Sequence, residues 1–462
     1  MAGQLSTRTP LLMMLETAMI ILAVTMAATV RLGAEAGLGV IATPAGLLRA
    51  GIVAGVCQLC LFFADMYDLR LVADRRELFV RLLRSLAATT LILAAVYFWF
   101  PSLIVGRGVF LLTTAFIILA ILASRLIFEF ASAQVQPGER LLLIGTTPAA
   151  VALAQEIHER QAELGVEIVG FVDPDPSRVG TVLFNPGVIG VIDDIPAIVR
   201  DRAVDRVVVS LADARGRLDM VKLLEIKLSG VTFDHLATVY EEYTGKIAVE
   251  NLRPSWMIFS EGFRKSKVQL GAKRLLDVVT ASIGLVLAAP LALFVIALIK
   301  FTSPGPIFYR QERVGLNGRT FMVVKFRSMR VDAEANTGPV WAQKNDTRVT
   351  PVGRFLRRTR LDEIPQLWNA LRGDMSMVGP RPERPGFVAD LTRQIPFYGQ
   401  RHVVKPGVTG WAQVKYTYGA SVEDALQKLQ YDLYYIKNMS VALDLFVMFQ
   451  TVKTVVLRRG AS

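Results

Sequence analysis

Cysteine and histidine are almost missing from these 462 residues, with two of the first and three of the second. Cys57 and Cys60 form a Cys-x-x-Cys, but inside the apolar run VAGVCQLCLFF and not at a strand-to-helix turn, so buried, inert thiols are expected in place of a redox pair. His158, His235 and His402 are scattered, which argues against a zinc site. Acid is scarce toward the C-terminus, where residues 264 to 462 hold 30 Lys/Arg against 14 Asp/Glu, a net +16 that leaves −4 for the remainder. Also lacking is the polarity of a soluble protein: 52% of residues are hydrophobic and the mean hydropathy is +0.41. Nucleic acid, anionic lipid and phosphate-bearing substrates all suit the basic part. In a chain this apolar, lipid and phosphate are the expected partners and nucleic acid is not. No small-residue cleavage site follows the first apolar run, so no cleavable signal peptide is expected.

Four apolar segments, 10 to 32, 44 to 65, 79 to 100 and 109 to 130, approach the ~20 residues that span a hydrocarbon core. They predict four transmembrane helices over residues 1 to 135. The loop after the second carries Arg70, Arg75 and Arg76, whereas the loop at 33 to 43 has Glu35 and no cation, which places both ends of the bundle in the cytoplasm. Beyond Pro137-Gly138 the pattern changes to β-branched runs, RLLLIG, VEIVGFVD and DRVVVSL, alternating with helical stretches near 148 to 161, 193 to 201 and 216 to 229. Such alternation predicts a Rossmann-like parallel sheet over 136 to 255. Its first turn has Gly145 but no Gly-x-Gly-x-x-Gly, and Asp173 ends the next strand where a ribose-binding acid would sit. A structural or regulatory module is the expectation.

A linker over 256 to 270 contains WMIFSEGF, a segment suited to an interface or a homodimer contact. An apolar helix over 271 to 302 follows, broken by Pro290 and flanked by Lys273, Arg274 and Lys300. Spanning would put one basic flank outside; a helix that enters and leaves through the cytoplasmic leaflet keeps both inside.

Residues 303 to 462 carry the chemistry. IFYRQERVG and FMVVKFRSM read as a hairpin with Lys325 and Arg327 on one face of its second strand, a pairing suited to phosphate. Next, NDTRVTPVGRFLRRTRLDEIPQLWNALRGDM brings Asp346, Arg348, Arg354, Arg357, Arg358 and Arg360 ahead of the adjacent acids Asp362 and Glu363, with Asp374 beyond. A helix beginning near Leu361 places the acid pair in its first turn, where the dipole favours ionised carboxylates. Helix capping alone would explain two acids there, but not the density of arginines or the turn Gly379-Pro380-Arg381-Pro382, whose cation stands between two prolines. A carboxylate to attack phosphorus or hold Mg²⁺, fixed cations and a stiff backbone are what phosphoryl transfer requires. Trp411, after Lys405-Pro406-Gly407, is either a stacking platform or core. The segment 422 to 457, with Tyr431, Tyr434, Tyr435, Phe446 and Phe449 beside Lys437, Lys453, Arg458 and Arg459, is expected as helices in the membrane interface.

Taken in order, KFRSM, RxLDEIPQLWNALRGDMSMVGPRPE and KPGVTGWAQV, all within 270 to 457, resemble the polyisoprenyl-phosphate hexose-1-phosphate transferases, the monotopic phosphoglycosyl transferases that start exopolysaccharide and O-antigen assembly. The resemblance implies an α+β membrane protein of the bacterial inner membrane: a four-helix bundle, a Rossmann-like cytoplasmic domain and a cytoplasmic catalytic domain with a re-entrant helix. It implies Asp362 as nucleophile toward a UDP-glucose or UDP-galactose, release of UMP, and undecaprenyl phosphate as acceptor. Glu363 matches the second acid, which assists with Mg²⁺; Lys325, Arg327, Arg360, Arg381, Pro380 and Pro382 match substrate-binding positions, and Pro290 the helix break. Ala289 departs from a serine often found before that proline. A membrane-bound nucleotide-sugar dehydratase or epimerase is the rival reading, but it needs a full dinucleotide loop and a Tyr-x-x-x-Lys pair, and neither occurs. An inactive membrane scaffold is a second rival, opposed by retention of both acids.

Overall fold

The structure, a computed structural model, describes residues 8–64, 66, 75–104, 108–134, 139–183, 186–210, 220–249, 257–258, 260–331, 333, 347–416, 419 and 421–456. It divides into two compact units, Ala2–Thr244 and Gly245–Ser462. Arg70, Asp346, Arg458 and Arg459 lie outside the described residues.

The first unit opens with helices α1 (Arg8–Leu32), α2 (Ala34–Ala42), α3 (Pro44–Phe63), α4 (Arg75–Trp99) and α5 (Val109–Gln134). Met13–Leu32, Pro44–Phe63 and Val80–Trp99 are long and apolar enough to cross a membrane, and in α5 the described apolar stretch is Leu111–Ile121. The segment expected as a loop at 33 to 43 is instead the short helix α2. Gly33, at φ 100°, lets the chain turn out of α1, and the Thr43 side chain accepts from Gly46 N–H to start α3 with Pro44 in its first turn. Cys57, Cys60 and Glu16 are all buried within this bundle.

After it come β1 (Glu139–Ile144), α6 (Pro148–Glu159), β2 (Val166–Val172), β3 (Val188–Gly190), α7 (Ile195–Asp201), β4 (Arg206–Val209), α8 (Met220–Leu228), β5 (Thr232–His235) and α9 (Leu236–Thr244). The five strands are parallel in the order β3-β2-β1-β4-β5. Leu141 and Leu143 pack with Leu153, Ile157 and Val239 on one face, while Leu142 and Ile144 pack with Ile195, Val199 and Ile226 on the other. Helices on both faces explain why β1 reads as a continuous apolar run. Asp173 is buried; it accepts from Thr146 Oγ1 and from the Asp175 N–H (3.0 Å) and pairs with Arg178 at 3.5 Å. The domain's own groups occupy the acid that a ribose would use.

In the second unit, α10 (Lys267–Thr302) is followed by the antiparallel pair β6 (Phe308–Val314) and β7 (Thr320–Phe326), α11 (Pro351–Arg358), a 3-10 turn (Leu361–Glu363), α12 (Gln366–Arg372), β8 (Ser376–Val378), α13 (Pro385–Gln394), β9 (Gly407–Thr409), α14 (Trp411–Lys415), α15 (Val422–Asn438) and α16 (Val441–Val456). Packing begins earlier than the sequence suggested, at Gly245 and not after 255: Ile247 N–H donates to the Gln430 carbonyl at 3.1 Å, and Ile247 and Val249 join the core around Trp411.

Pro290 does not end α10, which runs unbroken for 36 residues. A proline forfeits one backbone hydrogen bond and bends a helix without having to terminate it. Both ends of α10 pack on the same unit. Near its start Lys273 Nζ donates to Asp444 Oδ2 (2.7 Å), Tyr435 Oη (2.9 Å) and the Val378 carbonyl (3.1 Å). Arg274 caps the C-terminus of α12 by donating to the carbonyls of Ala370 (2.7 Å) and Leu371 (2.6 Å), and Asp277 accepts from Ser376 Oγ and Met377 N–H, both 2.9 Å. Near its end Val295 and Ile299 join Phe326 and Leu356 in a small core. Lys273 and Arg274, expected as a basic flank kept on the cytoplasmic side, are consumed by protein contacts.

The interfacial reading of 422 to 457 divides in two. Tyr431, Tyr434 and Tyr435 on α15 are buried with Leu429, Leu433 and Ile436, so this is a core helix. Its aromatics follow the helical period that interfacial and buried faces share, and only packing tells the two apart. By contrast α16 exposes Val441, Leu445, Phe449, Val452 and Val455 along one stripe.

Candidate active site

The site begins with a backbone oddity. Arg360 sits at φ 57°, a left-handed conformation that costs a non-glycine residue roughly 1–2 kcal/mol. It reverses the chain between α11 and the acid pair. The helix expected from Leu361 starts instead at Gln366, because Pro365 has no N–H with which to bond back to Leu361; the acids occupy a 3-10 turn closed by Ile364 N–H to the Leu361 carbonyl at 3.3 Å.

Asn369 then fastens α12 to the edge of β7, donating to the Met322 carbonyl at 2.8 Å and accepting from Val324 N–H at 3.0 Å. That contact sets the position of the next residue along the strand. Lys325 Nζ reaches Glu363 Oε1 at 2.9 Å, Arg381 Nη2 reaches the same oxygen at 2.9 Å, and Arg360 Nη1 lies 3.6 Å from Glu363 Oε2. Three cations from three elements converge on one carboxylate. Burial pushes the Glu363 carboxyl up, but Lys325, Arg381 and Arg360 outweigh it and hold it well below the ordinary glutamate range. Its neighbour goes the other way. Asp362 is 7% exposed, and burial followed by the charge of Glu363 pushes it up to about 6 against the pull of Lys325, Arg357 and Arg381. The two adjacent acids are thus pushed in opposite directions, Glu363 down by its cations and Asp362 up by burial, a separation that acid pairs in active sites use.

The Gly379-Pro380-Arg381-Pro382 turn is held by close backbone contact. Gly379 N–H donates to the Thr409 carbonyl at 2.9 Å and Gly407 N–H to the Pro380 carbonyl at 2.9 Å. A Cβ on Gly379, Gly407 or Gly410 would run into backbone of the facing segment, which is why Gly-Pro-Arg-Pro opens on glycine and Lys-Pro-Gly-Val-Thr-Gly has two.

Of the residues the sequence marked, Asp362, Glu363, Lys325, Arg360 and Arg381 with its flanking Pro380 and Pro382 come together. Arg327 does not. It follows the end of β7, is buried, and donates to the carbonyls of Pro304 (2.8 Å) and Ser303 (2.9 Å) and to Ser303 Oγ (2.6 Å), securing the exit of α10. Asp374 pairs with Arg372 at 2.8 Å. Trp411 is core: it is 2% exposed, donates Nε1–H to the Gly245 carbonyl at 3.0 Å and stacks on Tyr434 at 5.9 Å. The sequence singled out neither Asp277 nor Asn369, which position the site, and marked Arg274 only as a basic flank, although an acid inside an apolar helix is itself a signal.

A profile described as bacterial sugar transferase matches residues 268–458, and one described as CoA-binding domain matches residues 63–225. Among curated relatives, the UDP-N-acetylgalactosamine-undecaprenyl-phosphate N-acetylgalactosaminephosphotransferase of Aeromonas hydrophila is 41% identical over 52% of this chain and 56% of its own length. The UDP-glucose:undecaprenyl-phosphate glucose-1-phosphate transferases of Xanthomonas campestris pv. campestris and Klebsiella pneumoniae are 36% and 35% identical, over 70% and 68% of this chain and 68% and 67% of their own lengths. The chain thus spans a little over half of the first relative and about two thirds of the other two. With those two alignments and a converged, cation-bound acid pair inside the matched segment, the chain belongs to the bacterial sugar transferase family.

Proposed function

We propose that this protein transfers a hexose 1-phosphate from a UDP-hexose to undecaprenyl phosphate, releasing UMP, as the initiating step of exopolysaccharide or O-antigen synthesis. The observation that carries the reading is the acid pair itself, with Glu363 clamped by Lys325 and Arg381 at 2.9 Å each and Asp362 buried beside it. An Asp362 carboxylate oxygen attacks the β-phosphorus, and the bond from that phosphorus to the UMP oxygen breaks. A sugar-phosphoryl aspartate remains. A phosphate oxygen of the acceptor then attacks the same phosphorus and returns the carboxylate. Lys325, Arg360 and Arg381 supply fixed positive charge around the diphosphate. UDP-glucose and UDP-galactose are the proposed donors; the names of two relatives specify glucose and that of a third N-acetylgalactosamine.

Among the described residues no group of three His, Cys, Asp or Glu gathers as for a metal. Mg²⁺ is commonly held by one or two carboxylates together with substrate phosphates, and Asp362 with Glu363 Oε2 fits that role. Bound there, it would neutralise charge on the departing UMP. Purified protein given undecaprenyl phosphate and UDP-glucose, UDP-galactose or UDP-N-acetylgalactosamine should release UMP; silence with every donor ends the reading. In that assay kcat/KM is expected to fall about tenfold per pH unit below about 6, because protonation of a raised carboxyl removes the nucleophile as pH drops. A profile flat to pH 5 would contradict this role for Asp362.

The re-entrant disposition of α10 is supported by its two ends packing on one unit, since a straight helix of 36 residues would run about 54 Å and a crossing helix delivers its ends to opposite sides. The catalytic unit then lies on the cytoplasmic side of the inner membrane, at the depth of the lipid phosphate. With Cys57 and Cys60 replaced by serine, cysteines at the exposed positions Lys267 and Lys300 are both expected to label only from the cytoplasm. Periplasmic labelling of either one excludes re-entrance.

A further inference from the structure

Proline lacks an N–H, so the segment Pro380-Arg381-Pro382 has little with which to donate and is held chiefly through its carbonyls. All three are taken. The Pro380 carbonyl accepts from Gly407 N–H at 2.9 Å, the Pro382 carbonyl from Arg313 Nη1 at 3.0 Å, and the Arg381 carbonyl from Arg401 Nη2 at 3.0 Å. The last bond belongs to the residue whose guanidinium grips Glu363. Arg401 is 5% exposed, and two residues orient it: Nη2 stands 2.8 Å from Asp432 Oδ2, and Nη1 donates to Tyr398 Oη at 2.6 Å. Asp432, on α15, is 1% exposed.

A buried ion pair is weak evidence for stability, because desolvation cancels much of its attraction. Its place behind the turn gives it another purpose. We propose that the Arg401–Asp432 pair, with Tyr398, positions Arg381 for its grip on Glu363. This rests on the transferase reading above. Asp432 and Tyr398 hold the guanidinium, the same Nη2 that faces Asp432 donates to the Arg381 carbonyl, and the side chain of Arg381 starts from that anchored peptide. Lysine at 401 would keep a charge for Asp432 but has one nitrogen in place of a planar fork, so it cannot reproduce three directed contacts.

A double-mutant cycle tests the inference on the full-length protein, with UMP release from UDP-glucose, UDP-galactose and UDP-N-acetylgalactosamine as readout. Arg401→Lys is expected to lower kcat by on the order of tenfold to a hundredfold through misplacement of Arg381. In an Arg381→Ala background the same change is expected to cost almost nothing further, since its target is gone. Tyr398→Phe keeps the buried ring, removes one contact to Arg401, and is expected to show a smaller loss with the same dependence on Arg381; it carries the test if Arg401→Lys folds poorly. Additive losses across either cycle overturn the inference while leaving the transferase reading intact. A wild-type protein that releases no UMP overturns both.

Discussion

Asp362→Asn is expected to lower sugar-phosphate transfer by more than about 10⁴-fold, the scale seen when a covalent nucleophile is removed. An amide of nearly the same shape fills the same buried place but has no carboxylate to offer phosphorus. Stability should not suffer. The ionised Asp362 is disfavoured by burial and by the charge of Glu363, so a neutral side chain relieves both, and a thermal midpoint equal to or above that of the wild type is expected. Intact-mass measurement after incubation with donor alone should add one sugar phosphate to the wild type and nothing to the variant. UMP released at the wild-type rate by Asp362→Asn would remove position 362 from the chemistry.

Arg381→Ala carries the second large effect, about 10²- to 10³-fold in kcat/KM, comparable to losing a preorganised charge donor from an active site. It deletes one of two cations on Glu363 Oε1 at 2.9 Å, a charge-assisted contact of about 1.5–3 kcal/mol. Its electrostatic signature has a definite sign. Arg381 pulls both carboxyls of the pair down, so its removal lets both rise, and the acid limb of the pH profile moves to higher pH. A loss of activity with an unmoved limb would mean that Arg381 touches only substrate and does not tune the pair.

The parts of this site that could be read in advance are those in which chemistry and covalent neighbourhood coincide. Asp362 and Glu363 are consecutive, Arg381 is pinned between prolines, and Lys325 stands on a strand of plain alternation, so type and spacing were enough. Arg327 shows where that reasoning ends. It shares its strand face with Lys325 by spacing, but the strand stops at Phe326 and the guanidinium turns to the carbonyls of Ser303 and Pro304. Likewise a Tyr-rich amphipathic run suits lipid and core equally well, and α15 went to the core because residues 245 to 249 and α14 cover it.

From its sequence alone this chain was a membrane-associated transferase with a parallel nucleotide-type sheet and an acid pair set among arginines, because hydropathy, periodicity and motif order are properties of neighbouring residues. Tertiary structure alone decided which cations serve the acids and which serve the scaffold. Lys273 and Asp277 meet β8 about a hundred residues away, and Arg401 meets Asp432 across another stretch of chain. Only packing chooses such partners, since a buried charge must find whatever opposite charge or carbonyl the fold brings within reach.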